Sequence, residues 1–109
     1  MTELSIKEMQ EMQRNLQEKY QKKWGGLYPE KFHTMMLYLF AEAGEAVDVV
    51  KKNGHTKVLQ DADIRNHFIE EMADVLMYFN DVLLCYDITP EEFAAVYRKK
   101  HDTNMSRWQ

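Results

Sequence analysis

Four acidic side chains occupy helix positions where apolar residues would be expected. They form two pairs, Glu42 with Glu45 and Glu71 with Asp74, and the members of each pair are three residues apart. Residues three or four apart share one face of an α-helix. Most other residues on these two faces are uncharged, so we expect each pair to project from a packed surface.

Carboxylates in packed surroundings need a partner. An acid removed from water without compensation is destabilising or becomes protonated, and neighbouring carboxylates raise one another's pKa. A divalent cation held among the four side chains resolves both problems. Because the ligands are all oxygen, they favour Mg²⁺, with Mn²⁺ as a substitute, over zinc. The pattern therefore predicts a metal site formed by Glu42, Glu45, Glu71 and Asp74 on two antiparallel helices.

Two other interpretations of the acids remain open. Pairs of the form E-x-x-E also occur on solvated helix faces, and the protein would then be a non-catalytic helical oligomeric interaction module. An oxygen-activating di-metal bundle would need E-x-x-H on two helices, which neither pair offers. His67 lies one turn before Glu71, where helix-edge packing or a hydrogen bond is favoured over metal binding. Asp48 and Asp81 extend the two acidic rows, and both are expected to be solvated.

Length, charge and cysteine content narrow the class of protein. A chain of 109 residues suits a single domain over residues 1–109, small enough for pairing with another copy to add stability. Its net charge of -4 argues against binding duplex nucleic acid. Cys85 lies in an apolar run, so it is expected to be a small buried hydrophobe. With no signal peptide and no membrane-spanning run evident, we expect a cytoplasmic protein without a membrane partner.

Helix start and stop signals predict four helices and no strand, an all-α fold. The first helix begins at a capping box of Ser5 and Glu8 and ends in the turn at residues 24–29. The others are expected at about residues 30–52, at about residues 63–86, and from residue 90 to at least residue 100, with a polar loop over residues 54–62. Thr89 is the expected cap of the fourth helix, with Pro90 in its first turn and Glu92 as the box partner.

Apolar residues recur at helical spacing in the first helix. They are Met9, Met12, Leu16 and Tyr20, and this spacing supports the helix assignment. Trp24, Tyr28 and Phe32 could stack a base, but an aromatic group at a helix junction is more often part of the core. Trp108 could cover a neighbouring subunit.

The residues around the acidic pairs resemble a known family. Residues 41–46 read A-E-A-G-E-A, residues 70–76 read E-E-M-A-D-V-L, and residues 100–107 read K-H-D-T-N-M-S-R. In this order they resemble the MazG-like nucleotide pyrophosphohydrolases, which are marked by E-x-x-E, a later E-x-x-D and K-x-x-x-N-x-x-R. The resemblance covers about residues 35–108. Ala41 departs from it, because many relatives carry an acid there.

The resemblance implies an architecture and a reaction. It implies a four-helix MazG-like fold whose bundle is completed in a homodimer or homotetramer, with active sites at helix interfaces. It also implies hydrolysis of (deoxy)nucleoside triphosphates to the monophosphate and pyrophosphate. The four acids would then be metal ligands, and Lys100, Asn104 and Arg107 would contact the phosphates or the sugar. Without the resemblance, basic residues here would complement the helix dipole.

The charges of site and substrate suggest how such a reaction would proceed. A triphosphate brings about four negative charges to the four carboxylates, so cations must bridge them. The metal would orient the leaving pyrophosphate and lower the pKa of a bound water. Glu42 is predicted to help accept that water's proton, because its surroundings are expected to be the driest of the four.

Overall fold

Six α-helices account for most of the described residues. The structure, a computed structural model, describes residues 2–108, is 85% helical and contains no strand in that range. The helices are α1 (Ile6–Lys19), α2 (Gln21–Trp24), α3 (Phe32–Asn53), α4 (His55–Gln60), α5 (Ala62–Cys85) and α6 (Pro90–Arg107), with a 3-10 turn at Pro29–Lys31. The predicted all-α fold is confirmed.

The long helices α3 and α5 form the centre of the fold and run antiparallel. Ring contacts pair Phe32 with Tyr86 at a centroid distance of 5.8 Å, and Tyr38 with Tyr78 at 5.4 Å. The contacting residue on α3 advances from Phe32 to Tyr38 while its partner on α5 goes back from Tyr86 to Tyr78. The two helices therefore run in opposite directions. The buried apolar residues lie on these two helices: Met35, Ala46, Val49, Leu83, Leu84 and Cys85. The predicted burial of Cys85 is confirmed.

Helix α1 packs on α5 with a face that the sequence did not indicate. Its buried residues are Gln10 and Gln13, which are 0% and 5% exposed, whereas Met12 and Leu16 are exposed. The apolar residues that recur at helical spacing on α1 are therefore largely uncovered in the single chain. Gln13 Nε2 donates to Asp81 on α5 and Gln10 Nε2 donates to the Ile88 carbonyl, so α1 uses its amide groups here and leaves apolar surface uncovered.

The predicted helix starts agree with the structure in most respects. Ser5 and Glu8 form the complete capping box, with Glu8 N–H donating to Ser5 Oγ and Ser5 N–H donating to Glu8 Oε1, both at 3.1 Å. At α6, Thr89 Oγ1 accepts from Glu92 N–H at 3.1 Å, and Pro90 opens the helix. The expected return bond from the Thr89 N–H to the Glu92 side chain does not form.

The prediction of a polar loop over residues 54–62 is wrong. Gly54 ends α3 with a φ of 85°, and α4 follows at once without a side-chain cap. Asp61 then caps α5, accepting from the N–H groups of Asp63 at 3.0 Å and Ile64 at 3.2 Å. Helix α4 packs against both α3 and α5, so tertiary contact stabilises a segment whose own sequence carries little helix signal.

Helix α6 extends away from the other helices. Its backbone approaches α1 alone among them, and its side-chain contacts, such as Phe93 with Phe79 at 5.3 Å, lie near its start. The radius of gyration is 16.4 Å, compared with about 13 Å for a compact chain of this length. None of the helices within residues 2–108 is both long and apolar enough to cross a membrane.

Candidate functional site

The antiparallel pair α3 and α5 brings three carboxylates together. Glu42, Glu71 and Asp74 each offer an oxygen atom, and these three atoms lie within 4.8 Å of one another. All three side chains are half-buried. We call this group the acidic cluster. Glu71 and Asp74 are one turn apart on α5, so they lie on the same face of that helix, and Glu42 meets them from α3.

Crowding dominates the electrostatics of the acidic cluster. The pKa of Glu42 is raised first by a carboxyl–carboxyl hydrogen bond with Glu71, then by burial, and then by the charge of Asp74. Three acids at this separation cannot all ionise without repulsion unless positive charge is supplied. Convergent oxygen ligands are the donor set of a hard divalent cation. The residues present therefore fit a metal ion of the Mg²⁺ type.

Glu45 and Glu42 differ from their predicted placements. Glu45 is exposed and lies outside the acidic cluster, although its charge is close enough to contribute to the raised pKa of Glu42. The structure thus brings together three of the four predicted ligands. Glu42 falls in the same half-buried class as Glu71 and Asp74, so it does not have the distinctly drier position that was expected.

His67 touches the acidic cluster from outside. Its Nε2 lies 3.2 Å from Glu71 Oε1, and the imidazole is largely exposed. This agrees with a hydrogen bond rather than membership of the ligand set. The contact limits the rotamers open to Glu71 and so helps to aim its other oxygen.

A cavity of about 560 Å³ lies beside the acidic cluster and shares Asp74 with it. Its walls come from α1, α3, α5 and the turn after α2, and we call it the inter-helix cavity. Trp24, Tyr38 and Tyr78 contribute aromatic surface to it. Trp24, expected in the core, is 39% exposed, because Gly25 and Gly26 with φ near 80° turn the chain there.

The inner part of the cavity holds a buried acid that was predicted to be solvated. Asp81 is 3% exposed, and Gln13 Nε2 donates to its Oδ1 at 2.9 Å. Burial raises the pKa of Asp81 to about 6, and the bond from Gln13 opposes that shift. The prediction fails because α1 covers this turn of α5. Asp48, by contrast, is exposed as expected.

Tyr78 connects the cavity to both acidic regions. Burial raises its pKa first, and the charges of Glu42, Asp74 and Asp81 raise it further. The phenol therefore stays neutral at physiological pH and offers a donor as well as an aromatic face. A clue to this arrangement was the spacing of Asp74, Tyr78 and Asp81 at four and seven residues, which places all three on one helix face.

The C-terminal residues suggested as phosphate contacts lie elsewhere. Lys100 and Arg107 are exposed and Asn104 is half-buried, and none of the three lines the inter-helix cavity. They share one face of the part of α6 that extends beyond its contact with α1. Arg107 stacks over Trp108 at 5.2 Å. One chain alone therefore does not bring this basic group to the acidic cluster.

Comparison with known proteins gives a family. The family model described as the MazG nucleotide pyrophosphohydrolase domain matches residues 30–103, a range that includes the whole of α3 and α5 and all four acids. No curated protein and no solved structure matches the chain significantly. Since the family match covers well over half of the 109 residues, the chain belongs to the MazG nucleotide pyrophosphohydrolase domain family.

Proposed function

We propose that the protein hydrolyses nucleoside triphosphates, ribo- or deoxyribo-, to the monophosphate and pyrophosphate in a Mg²⁺-dependent reaction. The observation that carries this proposal is the acidic cluster, three convergent carboxylates of which one, Asp74, also lines a cavity large enough for a nucleoside. Membership of the pyrophosphohydrolase family supports the reaction type. Mn²⁺ is expected to substitute for Mg²⁺ because both favour oxygen ligands.

Each acid has a proposed role in this reaction. Glu71 and Asp74 hold the metal from α5, Glu42 holds it from α3, and Glu45 completes the set as a fourth ligand. When bound, Mg²⁺ supplies positive charge to the polyphosphate and lowers the pKa of a water. Glu42 helps to accept the proton of the attacking water, and His67 orients Glu71 through the 3.2 Å contact between them.

A second copy of the chain is proposed to supply the missing cations. A polyphosphate at the acidic cluster needs positive side chains, and Lys100 and Arg107 of the same chain lie away from it. The single chain also leaves large apolar side chains uncovered, among them Leu37 and Phe40 on α3, at 65% and 62% exposed. A homodimer or homotetramer would cover such residues and place Lys100, Asn104 and Arg107 at a neighbouring site.

The decisive test of the reaction is a panel of ribo- and deoxyribonucleoside triphosphates with Mg²⁺, with products identified by phosphorus NMR. Release of pyrophosphate from at least one of them, abolished by EDTA, is the expected result. A Glu42→Gln variant should lose this activity, whereas Asp48→Asn, an exposed acid on the same helix, should keep it. Absence of pyrophosphate across the whole panel would favour the interaction module instead.

Subunit mixing tests whether sites are shared. Glu71→Gln and Arg107→Ala are each expected to be nearly inactive. If each site takes its acids from one copy and its arginine from another, unfolding and refolding the two together restores about a quarter of wild-type activity in a dimer. No recovery in mixed oligomers, confirmed by mass spectrometry, would place acids and cations in one chain.

A further inference from the structure

Asp81 is an acid that the proposed metal chemistry does not use. It lines the inter-helix cavity together with Gln13, and both side chains are more than nine-tenths buried. The bond from Gln13 Nε2 at 2.9 Å engages Oδ1 alone. Among residues 2–108, no group donates a hydrogen bond to Oδ2, so this oxygen is available to a molecule in the cavity.

Within the part of the chain that the structure describes, no basic side chain forms an ion pair with this carboxylate. Lys31 also lines the cavity, but its ammonium donates to the Trp24 carbonyl. A buried carboxylate with a single neutral partner is less stable than an amide of the same shape would be. A purely structural role is therefore a poor account of Asp81, whereas a ligand that donates N–H groups would complete its hydrogen bonds.

The position of Asp81 relative to the acidic cluster matches the dimensions of a nucleotide. Asp74 and Asp81 are seven residues apart on one face of α5, which corresponds to about 10 Å along the axis. Tyr78 lies between them, and Tyr38 faces it at 5.4 Å across the two helices. Phosphates held at Asp74 would leave the sugar and base beside these rings, with the far edge of the base directed at Asp81.

We propose that Asp81, oriented by Gln13, recognises the hydrogen-bonding edge of the base and selects amino-bearing bases, namely guanine, cytosine and adenine, over uracil and thymine. This inference rests on the proposed function of the same site. Carboxylate oxygens accept hydrogen bonds and cannot donate them. Guanine offers adjacent ring N–H and amino donors, and cytosine and adenine offer an amino group.

Uracil and thymine fit the same carboxylate poorly. Each has a single N–H group at that edge, flanked by two carbonyl oxygens that the carboxylate repels. An amino-bearing base gains a charge-assisted hydrogen bond to Asp81, whereas uracil or thymine places a repelled carbonyl oxygen there. Together these effects correspond to a preference of about ten- to a hundredfold for the amino-bearing base.

Matched substrate pairs test the proposal. CTP and UTP have the same ring size and differ at the edge, and GTP and ITP differ by the 2-amino group alone. At pH 8, where Asp81 is ionised, kcat/KM is expected to favour CTP over UTP by about tenfold or more, and GTP over ITP by a smaller factor. Equal turnover of CTP and UTP by the wild-type protein would overturn the proposal without any variant.

Asp81→Asn separates recognition from structure. The amide keeps an acceptor for Gln13 and adds a donor that suits the carbonyls of uracil, so the CTP/UTP ratio should fall by about tenfold. A structural defect alone would lower both substrates together and leave the ratio unchanged, which would contradict the proposal. Asp48→Asn is the matched control, because this acid is exposed and outside the cavity.

Binding distinguishes failure of this inference from failure of the proposed reaction. If no triphosphate is hydrolysed, CMP and UMP can be titrated against a Trp108→Phe variant, in which Trp24 at the cavity wall is the remaining indole. Quenching at lower CMP than UMP concentration, with the difference lost on Asp81→Asn, would support base selection even without catalysis. Equal affinities would overturn the inference.

Discussion

The acidic cluster and Asp81 are two acidic regions along α5, and the pKa of Glu42 in the first is raised for a different reason from the pKa of Asp81. In the acidic cluster, the pKa of Glu42 is raised mainly by its carboxyl neighbours. At Asp81, burial raises the pKa, and the hydrogen bond from the Gln13 amide lowers it. The acids of the first region are half-buried and crowded together, whereas Asp81 is buried at the wall of the cavity with a single hydrogen-bond partner.

These two causes call for different ligands. Repulsion among several acids is relieved by a cation, which one site with three convergent oxygens can hold. Burial of a lone carboxylate is relieved by hydrogen-bond donors that replace water. Asp74 and Asp81, two turns apart on α5, would therefore suit different parts of a nucleotide. Asp74 would suit the metal-bound phosphates, and Asp81 would suit the base. Four substitutions test whether the two regions act independently, and their expected effects on activity or stability decrease in the order Glu71→Gln, Asp81→Asn, Gln13→Leu and His67→Ala.

Replacement of Glu71 by Gln should have the largest effect. The variant removes one of three converging ligands, so we expect the Mg²⁺-dependent rate to fall by about a hundredfold or more. Mn²⁺ binding, measured by electron paramagnetic resonance, should weaken in parallel. Asp81→Asn provides the contrast, because it should leave Mn²⁺ affinity unchanged. Equal weakening of Mn²⁺ binding by Glu71→Gln and Asp81→Asn would show that both regions belong to one metal site.

Replacement of Asp81 by Asn should stabilise the fold near neutral pH. The folded pKa of about 6 lies above the reference value of 3.8, so between these values the folded state keeps a proton that the unfolded state has lost. The free energy of unfolding therefore falls as pH rises from about 4 to 6, by about 2–3 kcal/mol. The groups near this acid are Gln13 on α1, Tyr78 and Cys85 on α5, and Lys31 in the 3-10 turn.

Urea denaturation at fixed protein concentration between pH 4 and 7 measures this dependence. Asp81→Asn should flatten the fall and exceed wild-type stability at pH 7, while Asp48→Asn corrects for the background of exposed acids. A variant less stable than wild type at pH 7 would show that the charge of Asp81 stabilises the fold.

Replacement of Gln13 by Leu should destabilise the protein by about 1–2 kcal/mol at pH 7. The change removes the donor to Asp81 Oδ1 and with it the one interaction that lowers the pKa of that acid. The loss should be smaller at pH 4, where Asp81 is mostly protonated in the folded state and the bond from Gln13 is made to a neutral acid. A loss independent of pH would assign the effect to packing of α1 alone.

Replacement of His67 by Ala should have the smallest effect. The imidazole is exposed, and its contact with Glu71 is one hydrogen bond, so stability should change by less than about 0.5 kcal/mol. Turnover should fall only a few-fold through looser aiming of Glu71. A loss as large as that of Glu71→Gln would make His67 a ligand.

Local signals predicted the helices well where the chain carries its own caps. Ser5 with Glu8 and Thr89 with Pro90 mark helix starts through contacts within four residues. Helix α4 escaped prediction because Gly54 precedes it without a side-chain cap, and its stability comes from α3 and α5. The acidic pairs were recognisable from spacing, but spacing could not show that Glu45 faces solvent while its partner faces α5.

Asp81 illustrates what a sequence pattern cannot show. It continues the row of acids on α5, and its mostly apolar neighbours one turn away, such as Met77 and Leu84, are compatible with burial but do not show what covers the carboxylate. Its cover is Gln13, 68 residues away, and a glutamine on a largely polar helix such as α1 would be assigned to the exposed side. Both polar residues are buried because they face each other, which only the packing of α1 on α5 reveals.

The projecting end of α6 has a consequence for how the catalyst responds to dilution. If its basic face serves a neighbouring copy, dissociation removes part of each active centre and specific activity falls as the protein becomes scarce. Velocity would then rise more steeply than linearly with enzyme concentration below the assembly constant. Such a catalyst is silent at low abundance and becomes active once enough of it has accumulated.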